Sequence, residues 1–102
     1  MTIQIVDFEA MEASSAGGVQ PIVLHQSEGL TTLLLCLEPG QVVGPCAMST
    51  RVQYIVVSGS GQLHVSDEQA GLKAGALVVV APDVVRSIVA VERMRLLAVQ
   101  VP

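Results

Sequence analysis

The sequence has few aromatic residues and few charges. Its 102 residues include no Trp, one Phe and one Tyr, and charged residues make up 14%. With only five Lys and Arg residues and a net charge of −4, the chain is not expected to bind nucleic acid. No apolar run approaches the roughly 18 residues of a membrane span, and the N-terminus lacks the pattern of a secretory signal. We therefore expect a cytoplasmic protein that binds neither nucleic acid nor membranes.

The residues that are abundant are aliphatic. Hydrophobic residues make up 51% of the chain, and Val, Leu and Ile account for most of them. A short chain rich in β-branched residues is typical of an all-β domain. Its length allows one domain, residues 1–102. The two cysteines, Cys36 and Cys46, are expected to be free thiols, because disulfides are rare in the cytoplasm.

Turn residues recur about every 8–12 positions, which is typical of a sandwich or barrel of short antiparallel strands. The intervening β-rich runs predict strands near residues 2–7, 20–27, 30–38, 41–48, 52–58, 61–66, 76–81, 84–91 and 94–101. Residues 9–18 read as a loop, and the Gly59-Ser60-Gly61 segment reads as a hairpin turn.

Two of these runs, TLLLCL and ALVVVA, have no polar face. A strand that is apolar on both faces must be covered on both sides. In an antiparallel sandwich one face meets the core, so the other needs a second subunit or an overlying segment. Because a small domain cannot bury all of its apolar side chains, we expect a homodimer.

The segment 40–59, GQVVGPCAMSTRVQYIVVSG, resembles the first motif of the cupins. That motif reads Gly, five residues, His, one residue, His, three or four residues, Glu, six residues, Gly. Cys46 and Met48 fall at the two His positions and Val52 at the Glu position. A shift of one residue places Gln53 at the Glu position instead.

A second segment, GALVVVAPDVVRSIVA from Gly75, is similar to the second cupin motif. That motif reads Gly, five residues, Pro, one residue, Gly, two residues, His. Ala81 stands at the Pro position, Asp83 at the Gly position and Arg86 at the His position. The resemblance implies a cupin jelly roll, or double-stranded β-helix barrel, over residues 20–101, preceded by an N-terminal strand and loop in residues 1–19.

In cupins the two His, the Glu and the last His usually hold one divalent metal inside the barrel. The residues at those positions here do not suit that role, because valine has no lone pair and arginine stays protonated and only donates hydrogen bonds. The resemblance therefore predicts a cupin with no metal and no other cofactor. One alternative is a soft-metal site formed by Cys46 and Met48, which share a strand face, although core filling explains that pair more simply.

Arg86 is the most informative residue, because it lies in an apolar strand and a buried arginine requires a partner. If it points inward, it meets a carboxylate of the protein or an anionic ligand. Tyr54 is expected on the same inward face, so Arg86, Tyr54, Cys46, Met48 and Gln53 are the candidate residues lining a cavity.

The sequence leaves open whether His64 points inward, since a register shift of one residue reverses its direction. With Leu63 and Val65 apolar, the outward direction is favoured. Inward, it could act as a base with Tyr54 as the acid.

Three functions follow. The first is a non-catalytic homodimer that binds or senses a small molecule, for which an anion is one candidate. The second is an enzyme, either a metal-free isomerase or lyase or one that uses the soft-metal site. The third is a structural barrel filled by side chains, in which the interior would be occupied by Val42, Met48, Val52, Val56, Val79 and Ile88.

Overall fold

The computed structural model describes residues 2–11, 14–15 and 18–102, and these form β-strands and no helix. The strands, in chain order, are β1 (Ser14–Ser15), β2 (Gly18–Val19), β3 (Ile22–Ser27), β4 (Leu30–Leu37), β5 (Val42–Cys46), β6 (Arg51–Ser58), β7 (Ser60–Val65), β8 (Glu68–Lys73), β9 (Leu77–Val80), β10 (Arg86–Ala90) and β11 (Met94–Val101). The all-β prediction is therefore confirmed. None of the described residues belongs to a helix that could span a membrane.

Two antiparallel sheets form the barrel. The larger sheet has the strand order β3-β4-β11-β6-β9, and the smaller has β5-β10-β7-β8, while β1 and β2 form a separate short pair. Most neighbours in the sheets are distant in sequence, so the chain alternates repeatedly between the two sheets. This alternation places the inner faces of both sheets around one interior.

The interior is lined by alternate residues of the central strands. Along β6 every second residue is buried, and along β10 and β11 the same alternation holds. The core joins both sheets and includes Leu35, Leu37, Val56, Ile88, Met94 and Leu96. Aliphatic side chains of this kind stabilise a domain by removing apolar surface from water, at roughly 25 cal/mol per Å².

The segment Gly59-Ser60-Gly61 is not a hairpin turn. β6 and β7 belong to different sheets, so the chain passes from one sheet to the other at Gly59. Gly59 has a φ of 81°, and a Cβ atom there would lie 2.0 Å from the carbonyl oxygen of Arg93. Only glycine allows the chain to cross at this point, because a side chain would collide with the backbone of the turn before β11.

Two strand predictions are wrong. Residues 2–7 were predicted as a strand but form none, and Ile3 and Ile5 are exposed. Residues 68–73, by contrast, lie between the predicted strands 61–66 and 76–81 and yet form β8, where Leu72 alone is buried. Pairing with β7 over its whole length defines β8, and this cannot be seen in its hydrophobic pattern.

The outer face of the larger sheet is partly covered by the N-terminal segment. Arg95, on that face, donates hydrogen bonds to the carbonyl oxygens of Phe8 and Met11, and its guanidinium lies 5.8 Å from the centre of the Phe8 ring. Cys36 pairs with Arg95 across the strands and is buried, as is Leu34. An overlying segment of the same chain thus covers one part of the two-sided apolar run in β4.

Candidate functional site

The four positions that correspond to the cupin metal ligands converge on one cavity. Its volume is about 120 Å³, and it lies between the inner faces of the two sheets. The lining residues are Pro21, Leu33, Leu35, Val43, Cys46, Met48, Val52, Tyr54, Arg86, Ala98 and Gln100. Four of the five candidate residues from the sequence are among them.

The fifth candidate, Gln53, does not line the cavity. Val52 and Tyr54 are buried on the inner face of β6, so Gln53 between them belongs to the outer face, where its cross-strand neighbours are Val79 and Val99. The register that places Val52 at the Glu position is the one that the barrel uses.

Arg86 is the one charged residue buried among the described residues, with 2% of its surface exposed. Its Nε donates a hydrogen bond to Tyr54 Oη at 3.0 Å, and its Nη1 donates to the carbonyl oxygen of Val84 at 3.3 Å. The guanidinium carbon lies 5.7 Å from the centre of the Tyr54 ring, within the range of a cation–π contact. Arg86 and Tyr54 therefore join the two sheets across the interior.

Arg86 has no carboxylate partner within the described part of the chain. The ion pair found there joins Arg93 and Glu38 and lies at the surface. The two hydrogen bonds use two of the five N–H groups of the guanidinium. Nη2 has no hydrogen-bond partner among the described residues and is not fully enclosed, because the only fully enclosed side-chain polar atom without a partner in that part of the chain is Thr50 Oγ1. Arg86 lines the cavity, so its unpaired N–H groups are donors available to a molecule bound there.

The local backbone explains how Arg86 reaches this position. Arg86 pairs with Cys46 across β10 and β5, and the register shifts between Arg86 and Ile88. Gly44, with a φ of 88°, allows the close approach, since a Cβ atom there would lie 2.6 Å from the carbonyl oxygen of Arg86. Cross-strand neighbours point to the same side of a sheet, so the Cys46 thiol and the guanidinium enter the cavity together.

The turn before β10 also holds Met48 in place. Asp83, which stands where the cupin motif has glycine, takes a φ of 66°, and its N–H donates a hydrogen bond to the carbonyl oxygen of Met48 at 2.8 Å. Asp is among the few non-glycine residues that adopt this conformation readily. The substitution therefore keeps the turn of the motif.

Neither histidine lines the cavity. His64 alternates with Leu63, which packs against the core, so His64 lies on the outer face of β7. His25 contacts the side chains of Gln4 and Ser27. The possible acid–base pair of His64 and Tyr54 is therefore not brought together.

The donor atoms do not fit the divalent metal of the cupins. Val52 offers none, and the protonated Arg86 would repel a cation at close range. No group of three or more His, Cys, Asp or Glu residues that could hold a metal occurs among residues 2–11, 14–15 and 18–102. Both cysteines are free thiols as predicted, Cys36 buried and Cys46 half-buried.

Solved structures show the same fold at low sequence identity. A Klebsiella pneumoniae protein described as having a double-stranded β-helix domain matches with a TM-score of 0.90 and 19% identity, covering 98% of this chain and 90% of that one. An RmlC-like cupin family protein from Methanocaldococcus jannaschii matches with a TM-score of 0.83 and 18% identity, covering 100% and 93%.

A cupin superfamily protein from Desulfitobacterium hafniense also matches, with a TM-score of 0.84 and 17% identity, covering 99% of this chain and 92% of that one. No protein-family model and no curated protein matches the sequence. The likeness of these structures over nearly the whole chain, together with the two antiparallel sheets, leads to one conclusion: the chain has the cupin fold, the double-stranded β-helix.

Proposed function

We propose that this small cupin is a non-catalytic binding module that holds a small anion at Arg86 and acts as a homodimer. The observation that carries the proposal is a buried guanidinium that lines an open cavity and has no carboxylate partner among the described residues. A buried charge is costly unless it is paired, and a guanidinium pairs best with a carboxylate or phosphate. An anionic ligand would supply the missing partner.

The cavity argues against a barrel filled by side chains. Its volume of about 120 Å³ is room for roughly four water molecules at ~30 Å³ each. Two residues expected to fill the interior point outward instead, Val42 and Val79, which are 48% and 51% exposed. Their neighbours Val43 and Val80 take the inward positions.

The residues favour binding over catalysis. A general base is most often a histidine, and neither histidine of this chain reaches the cavity. The Cys46 thiol lies beside Arg86 but has no histidine next to it to remove its proton. The enzyme alternative therefore lacks an acid–base pair in the cavity.

The proposed dimer interface is the outer face of β11, β6 and β9. Two rows of cross-strand neighbours run across these strands. The first row is Leu97, Ile55 and Leu77, and the second is Val99, Gln53 and Val79. At the β9 edge, Leu77 is 59% exposed. These rows carry no charge, so they suit an equally uncharged partner, and the same face of a second copy provides one by two-fold symmetry.

Anion binding is tested by titrating acetate, isobutyrate, sulfate and inorganic phosphate into the protein, with calorimetry and thermal unfolding as readouts. We expect at least one anion to bind and raise the Tm, and Arg86→Met to abolish the effect. Lys73→Met removes one exposed positive charge outside the cavity and should leave it unchanged. Absence of binding, or equal binding by Arg86→Met, would overturn the proposal.

The dimer is tested by light scattering after size-exclusion chromatography. We expect the wild type to elute as a dimer and Leu77→Glu to elute as a monomer. Val91→Glu is the matched control, because Val91 is also 59% exposed but lies outside the proposed interface. A monomeric wild type, or dissociation by both variants, contradicts the proposed interface.

A further inference from the structure

We infer that the ligand is a short aliphatic monocarboxylate, with a chain of about four carbons such as that of isobutyrate. This inference rests on the proposed function, since it names the chemical class of the anion at Arg86. It draws on the charge of the cavity, its hydrogen-bond donors, its apolar walls and its volume.

The charge of the lining favours a single negative charge. Among the described residues that line the cavity, Arg86 is the only charged one, and none is Asp or Glu. A carboxylate would neutralise the guanidinium, whereas a phosphate dianion would bring a second negative charge into an apolar space. Uncompensated charge of that kind is strongly unfavourable in a buried site.

The donors that remain suit a planar carboxylate. The unpaired N–H groups on Nη1 and Nη2 of Arg86 can bind its two oxygen atoms in the fork geometry of arginine. The Tyr54 hydroxyl accepts a hydrogen bond from Arg86 Nε, which leaves its own proton to be donated to the ligand. Arg86 and Tyr54 thus form the polar end of the cavity.

Apart from Gln100, the rest of the wall carries no side-chain nitrogen or oxygen atom. Leu33, Leu35, Val43 and Val52 line it without a polar side-chain atom, and Ala98 lies between Leu33 and Tyr54 across the strands. The small side chain of Ala98 leaves open the space beside the Tyr54 ring. A hydroxyl or amino group that faces these aliphatic side chains would be left unpaired, so an unsubstituted aliphatic chain fits this part of the wall best.

The volume limits the length of that chain. An apolar cavity of about 150 Å³ accommodates benzene, which has six non-hydrogen atoms. A cavity of about 120 Å³ should therefore hold about five or six such atoms, as in isobutyrate. Benzoate, with nine, is too large.

The test compares ligands by calorimetry on the wild-type protein. Each added methylene should tighten binding about fourfold, so isobutyrate should bind about 15-fold more tightly than acetate. Isobutyramide, the uncharged analogue, and benzoate should bind at least tenfold more weakly than isobutyrate, and so should inorganic phosphate.

Two variants test the apolar pocket while Arg86 is retained. Ala98→Leu should fill the cavity and abolish isobutyrate binding, and a circular dichroism spectrum and Tm close to wild type would show that it folds. Met48→Ala should enlarge the cavity, so that benzoate binds at least tenfold more tightly than it does to the wild type. Met48 is half-buried, which makes this variant the less disruptive of the two.

The outcomes separate this inference from the proposed function. If phosphate or sulfate binds at Arg86 more tightly than isobutyrate, the anion site stands and the carboxylate class is wrong. Equal affinities for acetate and isobutyrate would show that the apolar walls do not contact the ligand, so the anion site would stand and the aliphatic class of ligand would be wrong. If none of the anions binds, the proposed function fails and this inference fails with it.

Discussion

Replacing Arg86 with Met should make the ligand-free protein more stable. The guanidinium is 2% exposed, so most of its hydration is lost on folding, which costs several kcal/mol for a buried ion. The hydrogen bonds to Tyr54 and Val84 offset part of this cost, at about 1.5–3 kcal/mol each as an upper range for charged donors. Methionine has a similar length and no charge, and it adapts to irregular space.

Replacement of buried ionic groups by apolar residues is commonly neutral or stabilising by about 1–4 kcal/mol. For Arg86→Met we expect a gain of about 1–2 kcal/mol, or a rise in Tm of about 5–15 °C for a domain of this size. The assay is urea and thermal denaturation without added anions, followed by circular dichroism. Lys73→Met, a change of the same charge at an exposed residue, should shift the free energy of unfolding by less than about 0.5 kcal/mol.

A saturating ligand should reverse the order of stability. At a ligand concentration of about 100 times Kd, the wild type should gain about 2.7 kcal/mol and Arg86→Met should gain nothing. If Arg86→Met instead loses more than about 1 kcal/mol without ligand, the guanidinium is an internal structural link between the sheets. The reasoning that Arg86 is held in place for a ligand would then be refuted.

Two further predictions concern the fold and the cavity thiol. Gly59→Ala should lower the free energy of unfolding by at least about 2 kcal/mol, because the new Cβ would collide with backbone atoms. Gly75 also has a positive φ, 91°, but open space around it, so Gly75→Ala should lower the free energy of unfolding by only about 1 kcal/mol. Equal losses for the two variants in urea denaturation would contradict this reasoning. Iodoacetamide should modify Cys46 in the native protein and block anion binding, while the buried Cys36 stays unmodified. Mass spectrometry identifies the modified cysteine. Modification of Cys36 first would show that the cavity is closed to the reagent.

The candidate site could be predicted largely because the motif spacing is preserved where the ligands are not. Positions 46, 48, 52 and 86 keep the intervals of a cupin barrel, and all four line one cavity. Tyr54 followed from the two-residue period of a strand once Val52 was placed inside. The prediction that Gln53 lines the cavity was wrong, because the motif allows two spacings for the Glu position. Only the pairing of β6 with β11 and β9 decides between them.

In runs of identical residues, the sequence did not indicate which side chains point into the core. Val42 and Val43 are adjacent and equally apolar, and only the pairing of β5 with β10 decides that Val43 faces Ile88 in the core. The same holds for Val79 and Val80 in the run of three valines. Strand direction can be predicted from alternation only where polar residues mark one face.

The chain by itself determined the all-β class and the positions of most strands, because these depend on composition and on the spacing of turn residues. Its resemblance to the cupin motifs indicated that sulfur, valine and arginine stand at the positions of the metal ligands. The tertiary structure alone decided that residues 68–73 form a strand while residues 2–7 do not, since a strand exists only where a neighbour accepts its hydrogen bonds. It also decided that Arg86 has no carboxylate partner within the described residues, because a partner for a buried charge is a matter of which distant strands meet, and no local pattern specifies that.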